Sequence, residues 1–539
     1  MSRASLPVAT RNRSALPFRA PHFAERVLQE NGAGNWHTTL DTTLQGMLEQ
    51  HTQRYLAERQ PDGMDNAAAL IVDVRDMSVA AWLGSGNWHD DEILGQVDGV
   101  SAQRSPGSTL KPFVYALAIE QGLVHPQSLL RDLPLRFGAY TPENFDRGFL
   151  GPVTAKDALI YSRNVPAVAL AGELASPGFH QFLQRAGIAQ LRAAEFYGLA
   201  LVLGGMEISM RELAELYGAL ANGGIQHSMA LLQQQAVARP GVRLLTPEAA
   251  FITLQMLAET PRFARHHSFP VAWKTGTSWA FRDAWAIGLA GHYLLAVWVG
   301  NFDGRGNPAF VGRDAAAPLF FRVLEHLALE QDLHELQGLQ HEGLNVRQIN
   351  VCAADGGLPG RHCPEQVSTW YIPGVSPIRV SNIHREVVID PATGLRACDD
   401  SVPGLKREVM EFWPSDLAAL FRLAGLPRRA PPPYAPHCRL DAVQSGGFAP
   451  RIQSPLANLE YGIRPNHPEP ENIPLRAITD ADTQTLFWFA DDAFIGQSNS
   501  REVLLWQAEP GRYLVRAVDD LGRSDTVPVT VRLLPGARQ

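Results

Sequence analysis

Apolar positions recur three and four apart at Leu44, Met47, Leu48, Tyr55 and Leu56, which predicts a helix with Asp41 as its cap. Two apolar runs follow, 67–74 and 79–83, around the polar turn 75–78, and they predict paired strands. Helical spacing then dominates from Ser108 to about Leu257. Strand-like runs return at 271–273, 285–289 and 293–299, ahead of an apolar helix around 315–329. Strands at both ends with helices between them predict an α+β domain, with one antiparallel sheet drawn from distant parts of the chain.

The texture changes after residue 330. Residues 331–446 combine loops, the cysteines and Pro431-Pro432-Pro433, and read as a small stapled, loop-rich connector. Beyond it, strand patterns at 485–489, 503–506, 513–518 and 527–533 are separated by turns at Pro510-Gly511 and 520–522. Short strands at this spacing predict an immunoglobulin-like β-sandwich. The expected organisation is a linker at 1–38, the α+β domain at 39–330, the connector at 331–446 and the sandwich at 447–539.

A chain of 539 residues, 45% hydrophobic and 19% charged, is ordinary for a protein that buries several cores. Its net charge of −8, with no basic stripe, argues against a nucleic-acid partner. No run of apolar residues is long enough to span a bilayer, and Arg3, Arg11, Arg13 and Arg19 precede no apolar signal core. Cys352, Cys363, Cys398 and Cys438 fit no zinc-type spacing, so no metal site is expected. Two disulfides would suit an oxidising compartment; loop length favours Cys352–Cys363 and Cys398–Cys438 among three connectivities, with four free cytosolic thiols as the alternative.

The bias among the cations directs attention to the chemistry. Only four of the 47 basic residues are lysines: Lys111, Lys156, Lys274 and Lys406. Arginine stays protonated, whereas a buried or crowded lysine can lose its proton and act as a base. Ser108-Thr109-Leu110-Lys111 follows the helix-breaking Ser105-Pro106-Gly107 and opens an apolar-striped helix. Residues three apart share a face, so Lys111 can take the Ser108 proton where unpaired N–H groups favour a developing oxyanion. Ser162-Arg163-Asn164, in a helical stretch expected to end at Pro166, offers a second hydroxyl to relay protons and a carboxamide to bind an amide. Lys274-Thr275-Gly276-Thr277 lies on a predicted strand, where Gly276 permits close backbone approach and the hydroxyls can hold a carboxylate.

In this order, with starts 54 and 112 positions apart, the three motifs match the set of penicillin-binding proteins and class A β-lactamases. The wider stretches Arg104-Ser105-Pro106-Gly107 before the first motif, Asn144-Phe145-Asp146, Leu203-Gly204-Gly205, Ala221-Asn222-Gly223-Gly224 and Lys274 through Trp285 closely resemble bifunctional class A penicillin-binding proteins of the 1C type. The resemblance runs through the cysteine region and the C-terminal domain. It implies a serine β-lactamase-like transpeptidase fold at the periplasmic face of the bacterial inner membrane. That family also carries a membrane anchor and a glycosyltransferase domain; this chain starts in what resembles their inter-domain linker, and a truncated product is expected. Arg163 departs from the pattern, since the family more often has Leu between the Ser and the Asn.

Carried over by motif, the resemblance implies Ser108 as nucleophile, Lys111 as base, and Ser162 and Lys274 on the proton path. Asn164 would orient the donor peptide, Thr275, Gly276 and Thr277 would form the carboxylate-binding strand, and the N–H groups of Ser108 and Thr277 the oxyanion hole. The implied ligands are D-Ala–D-Ala stem peptides and β-lactams, with no metal or cofactor, and cell-wall synthesis proteins as partners of the C-terminal domain. A β-lactamase is disfavoured because no Glu between Ser162 and Lys274 has Asn four residues on, and a membrane sensor because no HExxH motif occurs. A DD-carboxypeptidase, or a scaffold with an idle site, is the alternative. Phe487, Trp488, Phe489 and Trp506 read as sandwich core.

Overall fold

Asp41 accepts hydrogen bonds from the backbone N–H groups of Thr43 and Leu44, and the helix Thr42–Arg59 follows with its predicted stripe buried. This computed structural model describes residues 18–135, 140–236, 240–261, 269–398, 401–438, 447–457, 459–464 and 471–533. The central sheet has five strands in the order Ser78–Leu83, Asn66–Asp73, Tyr293–Gly300, Asp283–Ala290 and Ala272–Thr277, every neighbouring pair antiparallel. Both faces are covered. Ala68, Leu70 and Val72 turn to a larger core with the helices Lys111–Glu120, Met210–Ala221 and Pro247–Ala258. Ala67, Ala69 and Ile71 turn to a second core with the helices Thr42–Arg59 and Ala317–Glu330. Burial on both faces explains why these strands read as unbroken apolar runs, each fully buried Leu, Ile or Val contributing roughly 1.5–3 kcal/mol.

The segment read as linker is partly structured. Pro21–Asn31 is a helix whose Phe23 and Val27 join the larger core, with the Phe23 ring 6.1 Å from that of Trp82. Phe23, Ala24, Val27 and Leu28 make an apolar stripe of only two turns, too short to signal a helix; the contact with the sheet supplies the stability. Residues 1–17 lie outside the described residues.

The cysteine region is more ordered than a loop-rich connector. It contains the hairpins Arg347–Cys352 with Gln366–Tyr371 and His384–Ile389 with Lys406–Glu411, then the helix Ser415–Leu423. The disulfides are Cys352–Cys363 and Cys398–Cys438. Trp370 packs edge-on against Phe251 of the first domain, and Arg385 pairs with the fully buried Asp480 of the last.

The C-terminal domain stacks two sheets. One holds Arg451–Ser454, Ile473–Ile478 and Leu504–Trp506; the other holds Glu460–Ile463, Ser524–Leu533, Gly511–Asp519, Thr485–Ala490 and Ala493–Asn499. Trp488 and Trp506 form its core. Phe487 and Phe489 do not: side chains alternate along a strand, so both lie on the outer pleat, half-buried.

Candidate active site

Ser108 lies on a 3-10 turn, Gly107–Leu110, just ahead of the helix that begins at Lys111. Residues three apart eclipse on such a turn, so Ser108 and Lys111 share a face more closely than on an α-helix. Pro112 suits the first turn, where its missing N–H has no partner to lose. The turn is held from beneath by Tyr217, whose hydroxyl donates to the Thr109 carbonyl at 2.8 Å, and by Trp285, whose Nε1 donates to the Ser105 carbonyl at 2.9 Å.

Ser162 occupies the corner between the helices Ala155–Ile160 and Asn164–Glu173, with φ 56°. A non-glycine residue in the left-handed region is costly and is held by its surroundings. The predicted helix end at Pro166 is instead a helix start, with Pro166 inside the first turn. This corner places three groups against Lys111. Its Nζ donates to the Ser162 carbonyl at 2.6 Å, to the Asn164 Oδ1 at 2.6 Å and to the Arg163 carbonyl at 3.2 Å, and lies 3.4 Å from Ser162 Oγ. Lys274 Nζ reaches the same hydroxyl from the sheet, at 2.7 Å, and donates to the Thr275 carbonyl at 3.0 Å. Ser162 Oγ therefore bridges the two amines.

Ala272–Thr277 is an edge strand, and its open edge lies beside the Ser108 turn. A Cβ on Gly276 would sit 2.3 Å from the Pro106 carbonyl, so only glycine lets strand and turn meet. Gly107, at φ +54°, has the same need: a Cβ there would fall 2.5 Å from the Thr277 carbonyl. Lys274 and Gly276 face the helices; Thr275 and Thr277 take the other side of the pleat, partly exposed. Thr277 Oγ1 accepts the Gly312 N–H at 2.9 Å, which leaves its hydroxyl proton free for a ligand.

Both lysines are cut off from solvent. Burial pushes the proton affinity of Lys111 well down, Lys274 and Arg163 add repulsion, and Asp132 opposes them. Burial lowers that of Lys274 to about 7. Near neutral pH one amine can thus be uncharged and take a hydroxyl proton. Lys156 and Lys406 serve elsewhere, in ion pairs with Glu259 and Glu408.

Sequence reasoning missed the residues that hold the Ser162 corner. Asn144 Oδ1 accepts the Asn164 N–H at 2.8 Å, Asn164 Nδ2 donates to the Glu143 carbonyl at 2.6 Å, and Arg163 pairs with Asp132 and Asp146. Asn144-Phe145-Asp146 was legible only as part of the resemblance, because nothing in its spacing shows which helix it caps.

Residues 67–311 match the family model of the penicillin-binding protein transpeptidase domain. Residues 344–386 match the C-terminal domain of penicillin-binding protein 1A, and 440–531 the penicillin-binding protein C-terminus family. Over 95% of its length the chain is 31% identical to penicillin-binding protein 1C of Escherichia coli, covering 67% of that protein. The chain belongs to the penicillin-binding protein family. It is 28% identical to penicillin-binding protein 1A of Clostridium acetobutylicum over 70% of its length, spanning about half (48%) of that relative. Penicillin-binding protein 1A of Haemophilus influenzae shares the fold, with a TM-score of 0.58 at 15% identity over 68% of this chain and 77% of the other. The first domain is thus that of a penicillin-binding transpeptidase, an acyl-transfer enzyme. Among the described residues no helix is long and apolar enough to cross a membrane.

Proposed function

We propose that this penicillin-binding chain is an active-serine DD-transpeptidase of peptidoglycan synthesis, working on the periplasmic side of the inner membrane. The observation that carries the reading is the meeting of two buried lysine amines at Ser162 Oγ, beside the Ser108 turn. A donor stem peptide would lie along the open edge of Ala272–Thr277, pairing with its backbone as an added strand. Asn164 would hold its amide, and Thr275 and Thr277 its terminal carboxylate.

Ser108 Oγ attacks the carbonyl carbon of the penultimate D-Ala, and its proton passes to the Lys111 amine. The N–H groups of Ser108 and Thr277 stabilise the tetrahedral oxyanion. The peptide bond to the terminal D-Ala breaks as a proton travels through Ser162 to the leaving amine. An acceptor amine from a neighbouring stem then attacks the acyl-enzyme ester, forming the cross-link and restoring the Ser108 hydroxyl. No step requires a metal or cofactor. The C-terminal sandwich is a candidate contact for other cell-wall synthesis proteins.

Incubation of purified protein with a fluorescent penicillin tests the assignment. A covalent adduct at Ser108 is expected in the wild type and none in Ser108→Ala; equal labelling of the two defeats it. Muropeptide products then separate reactions, cross-linked for a transpeptidase and merely trimmed for a carboxypeptidase.

A further inference from the structure

Arg163 is one residue from both Ser162 and Asn164, yet its side chain turns away from them. The guanidinium is nearly buried and all three of its nitrogens are used. Nε donates to Asp132 Oδ2 at 2.7 Å, Nη1 to Asp146 Oδ2 at 2.8 Å, and Nη2 to the Gly148 carbonyl. Asp132 is itself wholly buried and also accepts from Asn144 Nδ2 at 2.6 Å and from the Leu150 N–H at 3.0 Å. The far end of Asn144 returns to the active site, where its Oδ1 accepts the N–H groups of Asn164 and Val165. Arg163 thus closes a ring of bonds running from the Ser162 corner through Asp132 and Asn144 to the first turn of the helix Asn164–Glu173.

That ring explains how a left-handed serine is held. The helix start has no cap from its own N-cap residue, Arg163, and takes one from Asn144, which Asp132 orients. The oxygens that hold Lys111 Nζ all belong to residues 162–164. A shift of this corner moves all of them at once. We propose that Arg163 is a positioning residue for Ser108 acylation, acting through Asp132, Asn144 and Asp146 to fix the Ser162 corner and the oxygen cage around Lys111. The inference rests on the acyl-transfer reading above and concerns a residue whose guanidinium is engaged by Asp132, Asp146 and Gly148.

The charged groups around Lys111 are Lys274 from the edge strand, Arg163 from the corner and Asp132 from the strand Leu129–Asp132. Arg163→Leu removes one cation from this balance and the whole fork. Arg163→Lys keeps the charge and loses the fork, because an ammonium cannot bridge Asp132, Asp146 and Gly148 in one plane. With a fluorescent penicillin, Arg163→Leu is expected to acylate about 10- to 100-fold more slowly than wild type. Its rate profile is expected to move to higher pH, since Lys111 then binds its proton more tightly. Arg163→Lys, the milder change should Arg163→Leu not fold, is expected to be slower with the profile unmoved. Amides of 144–150 should exchange hydrogen faster in both variants, a readout independent of activity.

Asp132→Asn with Arg163→Leu separates positioning from the removal of a buried ion pair. If this double variant regains the wild-type rate and profile, Arg163 only neutralises Asp132 and the proposal fails. It fails equally if Arg163→Leu and Arg163→Lys acylate as fast as wild type. An unlabelled wild type would instead defeat the acyl-transfer reading itself, and this inference with it.

Discussion

Lys111 and Lys274 meet at one hydroxyl while buried, and repulsion plus lost hydration makes a doubly protonated pair costly. Arginine cannot surrender its proton there. Lys111→Arg is expected to lower penicillin acylation about 10²- to 10⁴-fold, the range of a lost general base, in stopped-flow labelling. Lys274→Arg should cost less, because a cation near the carboxylate site survives. Lys111 must be uncharged to take the Ser108 proton, so acylation is expected to decline as acid charges that amine; a flat profile would contradict this. Stability follows the same sign. Both amines bind protons less tightly folded than unfolded, so acid charges a buried amine and destabilises the fold. That cost is absent above the unfolded lysine value and is complete once pH is below the folded one.

At the scale of elements, the site is a junction of a turn, a helix corner and a strand edge. Its tolerances are set by backbone contacts. Gly276→Ala would place a methyl 2.3 Å from the Pro106 carbonyl. The strand must retreat, at a cost of about 1–3 kcal/mol, and Thr277 moves away from its close approach to Gly107. The expected outcome is a folded protein by circular dichroism, with slowed acylation. The sheet strands were legible because long apolar runs bounded by polar turns have few other solutions. The helix Pro21–Asn31 and the strand Ala493–Asn499 were not. The first depends on a partner sheet, and the second follows a tight turn in which Asp491, at φ 53°, takes the place expected of glycine.

At the scale of the molecule, the cysteine region is a packed unit braced at both ends. Trp370 reaches the transpeptidase domain, as does an ion pair between Asp416 and Arg131; Arg385 reaches the sandwich. Closing loops of 11 and 40 residues contributes about 3 and 4 kcal/mol by chain entropy. Reduction by dithiothreitol is expected to lower the melting temperature of this unit while Ser108 acylation persists, since the disulfides lie outside the active-site junction. Loss of acylation on reduction would place the cysteine region in the catalytic support.

The amino-acid sequence by itself determined the α+β class and the three motifs, and through loop length it favoured one disulfide pairing of three without deciding it. Each is local: a period, a residue trio or a loop length is written along the chain. The tertiary structure alone decided that Ser162 Oγ lies between two amines and that Arg163 holds the corner through Asp132 and Asn144. Those relations join residues far apart in the chain, and their physical basis is burial. A lysine becomes a base, and an arginine a brace, only when folding removes water and leaves specific oxygens as the partners.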